Sequence, residues 1–173
     1  MAYADPQATS NPTTGSPILA AWGDIVRDDL EYLARNAPHC RAVRSATQSL
    51  TTAAWTAISF TGTESFDVGG MHSTASNQDR VTIPAGEAGK YTYGGSIDFD
   101  NNVTGLRGAR FTLNGVAFGP ALTVTSVGFC SLLVPSDFTA FAAGDILRLE
   151  GRQDSGGNLD VLSATVWAKW DRV

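Results

Sequence analysis

The stretch "KYTYGGSIDFD", residues 90–100, decides how the rest of the chain is read. Tyr91, Tyr93, Gly95, Ile97 and Phe99 fall on one side of an extended backbone, and Thr92, Ser96, Asp98 and Asp100 on the other, because successive side chains of a strand point to opposite faces. An apolar face set against a polar one predicts a half-buried antiparallel strand, packed on a core on one side and open on the other.

The same period of two recurs from residue 47 onward. "WTAISF" (55–60), "RVTIP" (80–84), "ARFTLNG" (109–115), "ALTVTSVGFCSLLV" (121–134, read as a single strand), "DILRLEGRQ" (145–153) and "LDVLSATVWAKW" (159–170) are rich in β-branched and aromatic residues. Between them stand Gly69-Gly70, Gly86, Asn101-Asn102, Asn114-Gly115, Gly144-Asp145 and Gly156-Gly157-Asn158, which is the chemistry of tight turns. Seven or more strands, close turns and no intervening helix predict an antiparallel β-sandwich or jelly roll over residues 47–173.

Upstream the period changes. Ser16-Pro17 is a helix start, Asn36 and Pro38 mark its stop, and Leu19, Trp22, Val26, Leu30 and Leu33 recur at steps of three and four between them. One amphipathic helix over 16–37 is expected, with Ile18 and Ile25 widening the apolar stripe and Asp24, Arg27, Asp28, Glu31 and Arg35 on its other side. About 20 residues with Gly23 among them make a marginal helix in isolation, so the stripe needs a partner. The polar side reads most simply as a solvated surface, and more sharply as inter-subunit pairs of Arg27 and Asp28 that set helix register. Residues 38–46 are expected as a linker. Residues 1–15, "MAYADPQATSNPTTG", are turn-rich and nearly devoid of large apolar groups, and are expected as an extended arm.

Composition narrows the partners. A 173-residue chain that is 43% apolar can bury one real core with a small appendage. A net charge of -5 without Lys/Arg clusters argues against nucleic acid. "MAYADPQATS" has neither a basic start nor an apolar run, and no stretch of about 18 apolar residues occurs, so neither a secretory signal nor a membrane span is expected. Cys40 and Cys130 are read as small hydrophobes, a bridge between them being the less favoured alternative.

Catalytic signatures are missing from the sequence, and no cofactor is expected. Glu64, Asp67, His72 and Asp79 share one turn-rich region but lack the spacing of a calcium loop or a zinc site, and read as surface loop residues. Glu64, Asp67, Asp98, Asp100, Glu150, Asp154 and Asp160 offer many carboxylate pairs for a glycosidase and single out none. On the last strand, Trp170 shares parity with Leu162, Ala164, Val166 and Ala168, which is taken as the core face. Trp167 lies opposite with Val161, Ser163, Thr165 and Lys169, as a candidate subunit-interface residue.

Two resemblances add to this reading. "FTGTESFDVGGMHSTASNQDRVTIPAGEAGKYTYGGSIDF" (60–99), followed by "FTLNG" (111–115), "FAAGDILRLEGRQ" (141–153) and "ATVWAKW" (164–170), resembles the compact jelly rolls of tumour necrosis factor and the globular heads of complement recognition proteins. "TTGSPILAAWGDIVRDDLEYL" (13–33) resembles the front of small tailed-bacteriophage virion proteins, with Trp22, Gly23, Val26, Arg27, Asp28, Leu30 and Leu33 in the expected order. Together they imply a homotrimer on the surface of a virion, made in the bacterial cytoplasm. In that picture the helix is a collar packed through Leu19, Trp22, Val26, Leu30 and Leu33, and Tyr3, Pro6 and Pro12 anchor the arm on a major capsid protein or a tail or baseplate protein. Capsid decoration is the favoured expectation. The alternatives are a tail fibre or receptor-binding tip that engages a host-surface glycan through residues 61–79, 101–108 and 153–158, and a small depolymerase.

Overall fold

The computed structural model describes residues 20–32, 37–62, 64–125 and 128–171, with the side chains of 20–22 outside that description. The chain divides into two units, Met1–Ala37 and Pro38–Val173.

The first unit contains α1, Ala20–Glu31, inside the helix expected over 16–37. Arg27 sits 2.9 Å from Asp24 and 3.1 Å from Asp28, all three well exposed, so the polar face carries its ion pairs within the helix. Such pairs add only a few tenths of a kcal/mol.

The second unit is a sandwich of two antiparallel sheets. In chain order its strands are β1 (His39–Arg44), β2 (Gln48–Leu50), β3 (Trp55–Ala57), β4 (Glu64–Val68), β5 (Val81–Thr82), β6 (Gly89–Asn102), β7 (Leu106–Leu113), β8 (Val116–Thr125), β9 (Gly128–Phe141), β10 (Ile146–Gln153) and β11 (Leu159–Asp171). One sheet runs β4-β1-β11-β6-β9, with β2 also on β11. The other runs β3-β10-β7-β8, with β5 also on β10. This is the expected antiparallel jelly roll, with β6 between β11 and the edge strand β9 of its sheet.

The alternation of 90–100 holds residue by residue. Tyr91, Tyr93, Ile97 and Phe99 are buried, while Thr92, Ser96, Asp98 and Asp100 stand on the outer face. Aromatic packing ties the sheets together: Tyr93 of β6 meets Phe111 of β7 edge-on at 5.0 Å and stacks on Phe118 of β8 at 5.8 Å, with Phe141 of β9 against both Tyr91 and Tyr93. Edge-on and offset geometries suit the ring quadrupoles, and each such pair contributes about 0.5–1.5 kcal/mol beyond its buried area.

Four expectations need correction. Residues 39–44, expected within a linker, form β1 between β4 and β11, with Cys40 and Ala42 buried; the alternation is real but short, and its last buried position is taken by the charged Arg44. Residues 121–134 are not one strand but the end of β8 and the start of β9. β8 begins earlier than expected, at Val116, and continues through Gly119-Pro120, where its register with β7 shifts. Gly119 has a φ of +65°, and a Cβ there would lie 2.3 Å from the Tyr93 hydroxyl, so the bulge needs glycine on both counts. On β11 a register shift between Val161 and Ser163 reverses the expected parity, so that Val161 is core and Leu162 is not, while Ala164, Val166 and Ala168 are buried as expected. Last, His72, expected on a surface loop, is buried.

Candidate functional site: the outer face of the β6 sheet

The two sheets present different outer faces. On the sheet of β10 and β7 the outward side chains are paired charges: Arg110 lies directly opposite Glu150 and meets it at 2.8 Å, stacks over Trp55 at 4.3 Å, and Arg148 holds Asp79 at 2.7 Å. These charges are paired within the chain, although the Arg152 Nε, further along β10 on the same face, has no hydrogen-bond partner among the described residues. Trp55 is therefore a half-buried platform for a guanidinium.

The outer face of β9, β6 and β11 carries unpaired apolar groups. Phe129 and Leu133 of β9 are 71% and 70% exposed, and Phe138 is 48% exposed, with the Lys90 ammonium 5.6 Å from its ring. Leu133 lies in register with Ser96 of β6, which is in register with Thr165 of β11. Trp167 follows on β11, opposite Gly94, so the predicted interface tryptophan is on this face. The polar residues between are tied down: Asp98 accepts hydrogen bonds from the hydroxyls of Ser131 (2.5 Å) and Ser163, and Thr92 donates to Asp171. A row of large apolar side chains flanked by hydrogen-bonded polar groups is the composition of an association surface.

The outward placement of Trp167 follows from the sequence parity, whereas the exposure of Phe129, Leu133 and Phe138 does not. Their signal lies in the alternation Phe129, Ser131, Leu133 against Cys130, Leu132, Val134, which the unbroken run "SLLV" conceals. The remaining predicted site residues divide as follows. Val26 is half-buried and Leu30 is 59% exposed on α1. The side chain of Trp22, and Leu19, Leu33, Tyr3, Pro6 and Pro12, lie outside the described residues.

The cluster read as surface loop residues is built otherwise. His72 is buried; its Nδ1 lies 2.7 Å from the Glu64 carboxylate and its Nε2 3.3 Å from the Gln78 carbonyl, and the ring packs edge-on against Phe60. The Asp67 carboxylate accepts the backbone N–H groups of Met71 (2.8 Å) and His72 (3.3 Å). Each candidate ligand thus has a partner within the chain. Among the described residues no group of three or more His, Cys, Asp or Glu could hold a metal ion.

Cys40 and Cys130 are both unbridged. They sit on β1 and β9, three strand spacings apart in one sheet, which is about 14 Å and beyond the reach of a disulfide. Among the described residues no helix is long and apolar enough to cross a membrane.

No protein family and no curated protein matches the chain at the level of sequence. Solved structures do match in fold. The globular domain of zebrafish complement 1qA protein is 13% identical with a TM-score of 0.54, over 78% of this chain and 98% of that one. The PRD1 vertex protein P5 is 15% identical with a TM-score of 0.55, again over 78% of this chain and 98% of that one. The second unit accordingly shares the jelly-roll fold of these two structures.

Proposed function

We propose that the chain is a structural protein of a bacteriophage particle: a homotrimeric jelly-roll knob joined to the virion through residues 1–15 and the helix of 16–37. The observation that carries the reading is the exposed apolar row of Phe129, Leu133 and Phe138 on β9, on the same sheet face as Trp167. The fold shared with the PRD1 vertex protein P5 supports a place on a virion. The role is scaffolding, not catalysis.

In a closed ring each copy lays its apolar row against the next, so that every row is covered and none is left to recruit a fourth. Three copies of the helix then leave the ring together, and the stripe that includes Val26 and Leu30 gains the partner its composition calls for. Decoration of the capsid is favoured over the tail, since a helix of about 20 residues at 1.5 Å each reaches only about 30 Å.

Light scattering on the full chain, followed by co-sedimentation with capsids stripped of decoration, tests this. A trimer that pellets with capsids is expected. A trimer that stays in the supernatant would move the protein to the tail, and a monomer would overturn the ring. Deleting residues 1–15 is expected to leave a folded trimer that no longer pellets, and Leu30→Asp to weaken trimers or attachment.

A further inference from the structure

We propose that the cleft between the loop of residues 70–82 and the start of β10 is a binding site for a carboxylate-bearing sugar, with Arg80 as the group that takes the carboxylate. The cleft has a volume of about 350 Å³, with Met71 and Ile146 as its apolar lining and Ser76, Asn77, Arg80 and Thr82 as its polar one. That volume falls within the range of small-ligand sites, at about 300–1,000 Å³.

Three of these polar side chains make no hydrogen bond, although the Arg80 charge also acts on the adjacent Asp79 carboxylate. Among the described residues the Arg80 guanidinium, the Asn77 amide and the Thr82 hydroxyl have no hydrogen-bond partner, whereas the neighbouring charges do. Asp79, the adjacent carboxylate, is held by Arg148 at 2.7 Å. His72, which also lines the cleft, has both ring nitrogens engaged by Glu64 and Gln78, so it is wall and not ligand. Arg80 is left as the cation facing the cleft.

The loop is held in place before any ligand arrives. Asp67 fixes its first turn through Met71 and His72, and the Met71 carbonyl accepts the Thr82 N–H at 2.7 Å. The Ser73 hydroxyl accepts the N–H groups of Ala75 (3.3 Å) and Ser76 (3.2 Å), Gln78 bonds Thr74, and the Phe60 N–H reaches the Gln78 carbonyl at 2.7 Å. A preformed cleft avoids the ordering cost that weakens binding by loose loops.

The chemistry selects the ligand class. A guanidinium forms a planar, two-pronged pair with a carboxylate, an amide and a hydroxyl suit the donors and acceptors of sugar hydroxyls, and the half-buried Ile146 suits the C–H face of a pyranose. The site needs no particle and no second copy, so its failure leaves the virion reading untouched, and the converse also holds.

Isothermal titration of the full chain with sodium glucuronate, glucose and inorganic phosphate tests it. Glucuronate is expected to bind with a Kd in the low millimolar range, at least about tenfold tighter than glucose, which corresponds to about 1.4 kcal/mol. Arg80→Gln is expected to reduce glucuronate affinity at least tenfold at an unchanged melting temperature. Arg80→Lys, which keeps the charge without the fork, should fall between, and provides the same readout if the glutamine variant does not fold. Phosphate binding as tight as glucuronate would reduce the site to a simple anion pocket and overturn the sugar assignment. Absence of glucuronate binding at about 10 mM, or binding undiminished in both Arg80 variants, would overturn the site itself.

Discussion

Trp167 occupies the space that a side chain on Gly94 would need: the two are register partners across β11 and β6, and a Cβ on Gly94 would stand 2.6 Å from the Trp167 Cζ2 atom. A large ring laid over a glycine on the next strand covers backbone that would otherwise be open, and fixes where the indole presents its edge. Because the pair is on the outer face of the β6 sheet, that placement also shapes the proposed association surface. Gly94→Ala should therefore act twice. Overpacking of this kind costs about 1–3 kcal/mol, and each kcal/mol lowers the melting temperature of a domain this size by about 2–4 °C. The displaced indole should also weaken self-association, which calorimetry and light scattering on one sample would separate. A variant of unchanged melting temperature would show that Trp167 swings aside freely.

Leu133→Asp should leave the single chain intact and abolish its assembly. The side chain is 70% exposed, so its replacement changes chain stability by no more than about 0.5 kcal/mol. Across an interface the same carboxylate would be buried unpaired, which is costly. Val116→Asp is the matched control, since Val116 is also 70% exposed but belongs to β8 of the other sheet. Monomers for Leu133→Asp and parental assemblies for Val116→Asp are expected by light scattering. Equal behaviour of the two would place the interface elsewhere.

How much of this was legible beforehand depended on whether a local pattern stayed in phase. Residues 90–100 alternate without interruption, and the structure reproduces every one of their faces. The hairpin at Asn114-Gly115 was equally plain, because a turn with both residues at positive φ selects that dipeptide. The failures come where the phase slips. The shift between Val161 and Ser163 exchanges the faces of Val161 and Leu162, and nothing local announces a bulge made of ordinary residues. β1 is six residues long and stabilised from both sides by partners far away in sequence, so its burial is a tertiary effect. The same holds for the site. Trp167 could be read from parity, whereas the engagement of His72 and Asp79, which leaves Arg80 unpaired, depends on Glu64 and on Arg148 from another strand.

Cys40 should resist alkylation in the folded protein. Its thiol is 1% exposed, and burial first, then the negative charge of Asp67, pushes its pKa up to about 12. The thiolate is the reactive form, so near pH 8 only about one molecule in ten thousand carries it even before access is considered. Iodoacetamide labelling followed by mass spectrometry should find Cys40 unmodified in native protein and modified after unfolding in urea. Rapid native labelling would mean that β1 opens locally, at the edge where it pairs with β4.

The Asp79–Arg148 pair should make stability depend on acid in a definite direction. Burial alone would raise the Asp79 carboxyl, but the hydrogen bond and charge of Arg148, with the charge of Arg80, outweigh it and hold the group below its ordinary value. A carboxyl depressed in the folded chain contributes stability that is complete above the unfolded value of about 3.9 and is lost as pH falls through the lower folded value. Asp79→Asn should therefore be less stable than the parent at pH 7, modestly so because Asp79 is 36% exposed and solvent screens the pair. The gap should close as the pH drops below about 4, when the parent loses the same charge. Urea denaturation midpoints of both proteins from pH 7 to about pH 2 would show it. A gap that stayed constant over that range would mean that the carboxylate contributes only through its shape, and that Arg148 is held on the outer face of β10 by something other than its charge.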